Sequence, residues 1–266
     1  MDAALSVRRS LEMDLRTALT DGSLHMVYQP QVNRENKVVA VEALLRWSHP
    51  LRGAIAPDVF VPIAEECGLI LLLGEFVLRR VFEETRDWTQ FRIAVNVSAV
   101  QMRSPGFAPL LMRLAAQAGI NPLNYELELT ETALLGDDPV TRGNFDALTR
   151  LGFSIALDDF GTGYSSLSLL QRFKVSKIKI DRSFIACLGE GEGADALVGA
   201  VVKLARAFRL GVIGEGVETE AQRQRLMECG CNEFQGYLCG QPMTALQLLT
   251  THEALFVQRG SVRRRA

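Results

Sequence analysis

Residues 153–158 have the sequence FSIALD, in which bulky and small side chains alternate and a carboxylate comes last. Alternation with a period of two is typical of a β-strand, whose successive side chains point to opposite faces. In a barrel strand, small residues usually mark the inward face, while bulky aliphatic residues pack under the surrounding helices. Asp158 continues the small set formed by Ser154 and Ala156. We therefore predict that Asp158 points into the mouth of a barrel.

Further short apolar runs also predict strands, and longer runs with helical spacing separate most of them. The predicted strands cover residues 25–32, 38–45, 92–97, 125–129, 153–157, 177–180 and 211–214, with a brief strand near Phe234. The predicted helices cover residues 57–66, 71–89, 107–118, 139–151, 194–208 and 218–229. Strands that alternate with helices in a chain of 266 residues predict an α/β fold, a (β/α)8 TIM-type barrel.

The connection between the first two predicted strands departs from this pattern. Residues 33–37 separate them, which is long enough for a hairpin but too short for a crossover helix. We therefore predict a modified barrel whose first strand is antiparallel. No linker divides the chain, so we expect one domain over residues 1–266, with an N-terminal helix or linker over residues 1–20 and a tail over residues 255–266.

The composition excludes several classes of protein. With 29 basic and 31 acidic residues, the net charge is −2, so the surface offers no basic field for a nucleic-acid polymer. An odd count of 5 cysteines without zinc-ribbon spacing predicts reduced thiols and a cytoplasmic protein. The most apolar run, residues 68–77, is interrupted by Gly74 and Glu75 and is far shorter than the ~20 residues that cross a bilayer. We expect no secretory signal and no membrane contact from this chain.

Several predicted strands have a polar residue at or near their last position. These residues are Glu42, Asn96, Glu128, Asp158, Lys179 and Glu215, and Asp159 follows Asp158 directly. The carboxyl ends of barrel strands form one rim, where barrel enzymes carry their chemistry. Carboxylates that share a pocket repel one another unless protons or cations compensate. One such acid alone is more often a surface or capping residue, but their joint occurrence at strand ends indicates a site.

A set of side chains that offers oxygen ligands favours Mg²⁺ or Mn²⁺ as the compensating cation. The 3 histidines, His25, His49 and His252, are not grouped, which excludes a zinc site built from histidines. Adjacent Asp158 and Asp159 suit two ions about 3.5–4 Å apart that share a bridging carboxylate. The sequence thus predicts two Mg²⁺ or Mn²⁺ ions that activate water for attack on phosphorus.

Short motifs follow one another in a characteristic order along most of the chain. Glu42-Ala43-Leu44 is followed by Leu45-Arg46-Trp47. The other motifs are residues 28–32 (YQPQV), 57–70 (PDVFVPIAEECGLI), 96–98 (NVS), 128–131 (ELTE), 158–166 (DDFGTGYSS), 179–181 (KID), 215–218 (EGVE) and 235–238 (QGYL). From about residue 11 to residue 242, the chain resembles the EAL-domain family of cyclic di-GMP phosphodiesterases. The ordered set is highly specific, whereas a lone tripeptide is not.

The resemblance implies a role for individual motif residues. Metal ligands are expected at Glu42, Asn96, Glu128, Asp158 and Asp159. Glu215 would orient the attacking water and act as its base, and Lys179 would hold this water or the charge that develops on the phosphate. Substrate contacts are expected from Gln29, Leu44, Arg46, Glu218 and Gln235. Glu131 would anchor the loop of residues 158–166, which the resemblance links to a dimer interface.

Three features also have a plainer interpretation. Lys179 alone suits a snorkelling lysine at a strand edge, and Tyr28 suits simple core packing. Arg46 beside Trp47 could form a structural cation–π pair. In addition, the family often has an aspartate three residues before the lysine, whereas this chain has Ser176, which leaves the local loop packing and its coupling to a dimer open.

The expected function is hydrolysis of cyclic di-GMP, a bacterial second messenger, to linear 5′-pGpG. A non-catalytic receptor for the same nucleotide is the alternative, which is disfavoured because every ligand, base and lysine position of the family is present. An unrelated metal-dependent barrel enzyme acting on a small acid would explain the carboxylates but not the ordered motifs. The resemblance also implies a homodimer and an upstream sensory or cyclase domain, to which a helix with Leu11, Leu15 and Leu19 on one face could link.

Overall fold

The computed structural model describes residues 2–135, 138–161, 167–189 and 192–251. The strands in these residues are β1 (Leu24–Asn33), β2 (Val38–His49), β3 (Gly53–Ile55), β4 (Arg92–Asn96), β5 (Tyr125–Thr130), β6 (Ser154–Phe160), β7 (Lys177–Ile180), β8 (Gly211–Gly214) and β9 (Glu233–Gln235). The α-helices are α1 (Asp2–Asp21), α2 (Pro57–Glu66), α3 (Ile70–Thr85), α4 (Ala99–Met102), α5 (Phe107–Ala118), α6 (Pro139–Leu151), α7 (Leu167–Arg172), α8 (Arg182–Ala186), α9 (Glu192–Ala207), α10 (Glu220–Cys229) and α11 (Ala245–Thr251). Short 3₁₀ helices cover Pro122–Asn124 and Glu131–Leu134. The predicted tail over residues 255–266 lies outside the described residues.

In the described part of the chain, the strands close into a barrel in the order β1-β9-β8-β7-β6-β5-β4-β2, with β2 paired back to β1. β1 is antiparallel to both of its neighbours, β2 and β9. The other neighbouring pairs within the ring are parallel. The predicted modified (β/α)8 barrel with an antiparallel first strand is therefore confirmed. β3, which the sequence did not predict, pairs antiparallel with the last residues of β2.

The turn between β1 and β2 explains why a hairpin forms at this point. The side-chain oxygen of Asn33 accepts hydrogen bonds from the backbone N–H groups of Glu35 at 3.1 Å and Lys37 at 2.9 Å. Asn36 has a φ of 57°, in the left-handed region that asparagine tolerates better than most residues. The local chemistry of this turn therefore sets the antiparallel start of the barrel.

Alternate residues of the barrel strands separate an apolar outer face from a polar inner face. On β6, Ile155 and Leu157 are fully buried in the core between the barrel and the helices. The same core contains Val41, Val95, Leu127 and Ile178 of neighbouring strands. Residues of the opposite parity, such as Glu42, Glu128 and Lys179, contact one another inside the barrel. The alternation inferred from residues 153–158 thus holds around the ring.

Helix α1 packs against α2 and contacts β1. Leu11 and Leu15 are buried in a second apolar cluster that also contains Trp47 and Phe60. No described helix combines the length and the apolar character needed to span a membrane.

Helix α3 is shorter than the sequence predicts, because it ends at Thr85 rather than at residue 89. Trp88 leaves the helix in a turn, in which its backbone N–H donates to Thr85 O at 2.9 Å. Its indole then packs edge-on against the Tyr28 ring, with 5.0 Å between ring centroids. Tyr28 is fully buried and donates its hydroxyl to Glu84 at 2.8 Å, which agrees with the core-packing interpretation of this tyrosine.

The barrel interior contains a lower charged layer at the amino-terminal ends of the parallel strands. The ammonium group of Lys177 lies 3.0 Å from Glu126 and 2.8 Å from Glu233. Arg92, the first residue of β4, lies 3.4 Å from Glu126. Burial lowers the pKa of Lys177, but the two carboxylates outweigh this effect and raise it overall, so the lysine stays charged. This layer contains as many cations as carboxylates.

The loop after β9 requires glycine at position 236. A Cβ atom there would overlap the backbone nitrogen and oxygen of Val217. We expect Gly236→Ala to lower the free energy of unfolding by about 1–3 kcal/mol, because the backbone must move to admit the methyl group. Gly143→Ala is the matched control, since Gly143 is exposed within α6 and has nothing within 4 Å of the added carbon. This control should be neutral or stabilise by about 0.5–1 kcal/mol in urea unfolding followed by circular dichroism. Equal effects of the two variants would contradict the packing argument.

Candidate metal and phosphodiester site

The predicted site residues meet at the carboxyl-terminal side of the barrel. Glu42, which the sequence placed near the end of its strand, instead lies within β2, because β2 continues to His49. A cavity of about 560 Å³ opens there, and nine of the predicted residues line it: Gln29, Glu42, Arg46, Asp158, Asp159, Lys179, Glu215, Glu218 and Gln235. The parallel register places Asn96 beside Glu128 on adjacent strands. Because these strand ends share one rim, side chains that are far apart in sequence become neighbours.

Lys179 lies at the centre of the acidic side chains. Its ammonium group is 2.7 Å from Glu215 Oε1, 2.8 Å from Glu128 Oε2, 3.3 Å from Asp158 Oδ1 and 3.7 Å from Glu42 Oε2. The lysine side chain is only 1% exposed. The interpretation of Lys179 as a snorkelling lysine at a strand edge is therefore wrong.

A network of amide side chains holds Glu42 in place. Asn96 Nδ2 donates to Glu42 Oε1 at 2.6 Å, and Gln235 Nε2 donates to Glu42 Oε2 at 2.5 Å. Gln235 Nε2 also lies 3.2 Å from Gln29 Oε1, while its own oxygen accepts from Gln31 Nε2 at 2.9 Å. These contacts join β1, β2, β4 and β9 around one carboxylate. The network positions Glu42 from several sides at once.

Burial and neighbouring charges shift the pKa values of the acids in different directions. Burial raises the pKa of Glu128 well above its ordinary value, and the charges of Glu42, Asp158 and Glu215 add to this effect against the pull of Lys179. Burial likewise raises the pKa of Glu215 to about 8. For Glu42, burial is outweighed by Lys179 and by hydrogen bonds from Gln235 and Asn96, so its pKa falls. The protein alone thus leaves part of the negative charge in this pocket uncompensated.

The side chains present fit a divalent cation with a preference for oxygen ligands. Oxygen atoms of Asp158, Asp159 and Glu215 lie within 4.8 Å of one another. Among the described residues, no hydrogen-bond donor reaches Glu128 Oε1, although this atom is buried. An acceptor left buried without a partner is costly, and a metal ion would satisfy it. These observations support metal binding at the mouth, with oxygen as the ligand type.

The backbone at residues 158–160 brings two adjacent carboxylates to the same pocket. Consecutive residues in a regular strand point to opposite faces, yet both Asp158 and Asp159 line the cavity. The pairing of β6 with β7 is irregular between Leu157 and Phe160, and Asp159 has a φ of 52°. This left-handed conformation is uncommon for residues other than glycine. The backbone N–H of Asp159 donates a hydrogen bond to Asp158 Oδ1 at 3.0 Å. The break in the strand therefore creates the paired acids.

Glu131 lies where the predicted loop leaves β6. Its Oε1 accepts a hydrogen bond from the backbone N–H of Gly161 at 2.9 Å, and Gly161 has a φ of 99°. This contact is compatible with the predicted anchoring role. Residues 162–166 of the same loop lie outside the described residues.

The predicted substrate positions divide into lining and supporting residues. Gln29, Arg46, Glu218 and Gln235 line the cavity, whereas Leu44 lies between Glu42 and Arg46 on the inward face of β2 without lining it. The Arg46–Trp47 cation–π interpretation is wrong within the described residues. Trp47 is on the opposite face of β2 and packs edge-on against Phe60, with 5.5 Å between ring centroids. Arg46 is thus available to face the cavity.

Other lining residues were not predicted as site residues. They are Asp58, Asp181, Arg182, Gly216, Gly236, Tyr237 and Pro242. Asp58 lies in the first turn of α2, and Arg182 begins α8 directly after β7. Their positions depend on how helices leave the rim, which strand alternation does not indicate. Five of them fall within the quoted motifs, so the motif boundaries are the signal that could have found them: Asp58, Asp181, Gly216, Gly236 and Tyr237.

The fold and its mouth define a modified α/β barrel with an acidic site at the carboxyl ends of its strands. The EAL domain family profile matches residues 12–242, and the chain belongs to this family. The chain is 41% identical over 257 residues to the bifunctional diguanylate cyclase/cyclic di-GMP phosphodiesterase MucR of Pseudomonas aeruginosa, covering 94% of this chain and 38% of MucR. It is 38% identical over 240 residues to the cyclic di-GMP phosphodiesterase PdeR of Escherichia coli, covering 89% of this chain and 36% of PdeR.

A solved structure of the MucR phosphodiesterase in complex with cyclic di-GMP has the same fold. It superposes with a TM-score of 0.86 at 42% identity, covering 90% of this chain and 100% of that one. The chain therefore spans the phosphodiesterase unit of that structure but only about a third of the length of the full-length curated relatives.

The amide network around Glu42 should contribute measurably to stability. Gln235→Leu removes the donor to Glu42 and the acceptor for Gln31 within a buried region, so we expect the free energy of unfolding to fall by about 1–3 kcal/mol. Gln224→Leu is the matched control, because Gln224 is exposed on α10 and its side-chain amide donates to Glu228, which is also exposed to solvent, at 3.1 Å. That variant should change stability by less than about 0.5 kcal/mol. Thermal and urea unfolding measure both, and a neutral Gln235→Leu would show that the network is dispensable.

Proposed function

We propose that this chain hydrolyses cyclic di-GMP to linear 5′-pGpG with a water activated at two divalent ions, and so lowers the level of this bacterial messenger. The observation that carries the proposal is the Lys179–Glu215 pair within the cluster of carboxylates at the barrel mouth. The likeness to phosphodiesterases that are named for this nucleotide supports the choice of substrate.

The proposed metal ligands are Glu42, Asn96, Glu128, Asp158 and Asp159. When bound, Mg²⁺ or Mn²⁺ would act as a Lewis acid on the phosphodiester and lower the pKa of the attacking water. Glu42 is already oriented by Asn96 and Gln235, and Asp158 by the backbone of Asp159, so little reorganisation is needed. Ordered donor atoms are the protein's main contribution to such a site.

Glu215 and Lys179 are the proposed catalytic side chains. Glu215 has a raised pKa of about 8 without metal because it is buried, and it lies against the acidic cluster where it could accept the proton of the water. Lys179 carries a positive charge at the same point and would stabilise negative charge that develops on the phosphate. As the water oxygen bonds to phosphorus, the proton of the water would pass to Glu215 and the bond from phosphorus to a 3′ oxygen would break. This oxygen would take a proton from solvent, which leaves the ring open with a 5′-phosphate and a 3′-hydroxyl.

The remaining lining residues would hold the nucleotide. Arg46 suits a phosphate oxygen or the face of a guanine, since its guanidinium is planar and always charged. Gln29 and Gln235 join the metal cluster to the substrate side, and Glu218 lies at the edge of the cavity. Leu44 would add apolar contact beside Arg46 on β2.

Assembly and cellular context are further parts of the proposal. We infer an upstream sensory or cyclase domain, because the curated relatives are about three times longer than the matched region. We infer a homodimer from the resemblance of the 158–166 motif to the family loop that is linked to a dimer interface. A molar mass of twice the 29.4 kDa chain mass in sedimentation equilibrium would support the dimer, and the mass of a single chain would oppose it. A cytoplasmic site of action is supported by cysteines that are all free thiols.

Product release tests the function and the assigned base together. The wild-type chain should convert cyclic di-GMP to pGpG in the presence of Mg²⁺ or Mn²⁺, and Glu215→Gln should lower kcat by about 10²–10⁴-fold. Chromatography of the nucleotides measures both rates. Glu35→Gln, an exposed acid of the β1–β2 turn, is the control and should match the wild type. If Glu215→Gln matches the wild type, the base is misassigned; if the wild type binds the nucleotide without turnover, the chain is a receptor.

Metal binding should stabilise the folded chain. At about a hundred times the dissociation constant, one ion adds about 2.7 kcal/mol, which corresponds to a rise in Tm of about 5–10 °C. Differential scanning calorimetry with Mn²⁺ and then with a chelator measures this rise and its reversal. Glu128→Gln should abolish most of the rise, while Glu126→Gln, on the same face of β5 one layer lower, should retain it. Loss of the rise in both variants would argue against a ligand role specific to Glu128.

A further inference from the structure

Lys179 is a fixed positive charge inside the proposed ligand cluster. We propose that Lys179 acts as a built-in counter-ion that weakens divalent-metal binding, so that the barrel mouth holds its metals less tightly than its carboxylates alone would allow. This inference rests on the proposed metal site and concerns metal affinity rather than the chemical step.

The distances place the lysine in direct competition with an ion. Lys179 Nζ lies 2.8 Å from Glu128, 3.3 Å from Asp158 and 3.7 Å from Glu42, all of which are proposed ligands. An ion held by these same carboxylates would lie close to the ammonium group, and like charges that lie close together repel strongly where water is largely excluded. The lysine is 1% exposed and the three acids are at most 14% exposed, so solvent screens this repulsion poorly.

Glu128 shows how one carboxylate can serve both cations. Its Oε2 accepts the hydrogen bond from Lys179, whereas its buried Oε1 has no hydrogen-bond partner among the residues that the structure describes. The lysine therefore takes half of this carboxylate and leaves the other half for an ion. A neutral side chain at position 179 would release the full charge of Glu128 to the metal.

Lys177 provides a matched comparison within the same strand. It lies two residues before Lys179 on the same inward face of β7 and is equally buried, with a side chain 4% exposed. Its partners are Glu126 and Glu233, and neither belongs to the proposed ligand set. Loss of charge at position 177 perturbs the barrel interior to a similar degree but should leave the metal cluster unaffected.

The test measures Mn²⁺ binding directly, without reference to turnover. Lys179→Gln, Lys179→Arg and Lys177→Gln are compared with the wild type by isothermal titration calorimetry and by the electron paramagnetic resonance signal of free Mn²⁺. We expect Lys179→Gln to bind Mn²⁺ at least about tenfold more tightly than the wild type, since coupling between close charges of this kind exceeds that threshold. Lys179→Arg, which keeps the charge, and Lys177→Gln should remain within about threefold of the wild type.

The outcomes separate this inference from the proposed function. If the wild type binds Mn²⁺ and Lys179→Gln binds it equally or more weakly, the counter-ion role is wrong while the metal site stands. If the wild type binds no Mn²⁺, both fail. Should Lys179→Gln unfold without metal, Lys179→Met, which is also neutral and leaves no unpaired polar group, replaces it in the same titrations. A higher dissociation constant for the neutral variant than for the wild type overturns the inference, and a lower one supports it.

Discussion

The contact between one buried ammonium group and four carboxylates governs the rest of this structure. Lys179 reaches Glu128, Glu215, Asp158 and Glu42 within 3.7 Å, deep inside a barrel whose other face is packed with aliphatic side chains. Buried charges are tolerated only when paired, and one lysine cannot neutralise four acids. The remaining negative charge must be met by protons or by added cations. The charge count of the pocket therefore favours the proposed binding of metal ions.

The two charged layers inside the barrel differ in this balance. In the lower layer, Lys177 and Arg92 face Glu126 and Glu233, so positive and negative charges are equal. In the upper layer, Lys179 alone faces four carboxylates, those of Glu42, Glu128, Asp158 and Glu215. A balanced set of charges suits a structural role at the amino-terminal end of the barrel, because barrel enzymes carry their chemistry at the opposite end. An unbalanced set at the carboxyl-terminal end favours ligand binding.

The break in β6 adds a second requirement to the site. Regular alternation would send Asp159 to the outer face, under the helices, where a carboxylate would be costly to bury. The irregular pairing with β7 and the left-handed backbone at Asp159 turn its side chain to the cavity. Backbone conformations of this kind persist where the surrounding structure enforces them, and they concentrate at functional sites. Two adjacent acids at one rim are the chemical result.

Local sequence signals determined much of this protein. Alternation in residues 153–158, the short connection after β1 and polar residues at or near strand ends, such as Lys179 and Glu215, predicted the barrel, its antiparallel start and most of the residues at its mouth. These signals are readable because strand parity and turn length act over only a few residues. The sequence order of the motifs was similarly sufficient to indicate the family.

Other features were decided only when distant segments came together. Whether Lys179 snorkels or is buried, whether Arg46 contacts Trp47, and where α3 ends all depend on neighbours contributed by other strands and helices. The lining by Arg182 and Asp58 likewise depends on the directions in which α8 and α2 leave the rim. Burial, pKa shifts and charge balance are sums over groups far apart in sequence, so they exist only in the closed barrel.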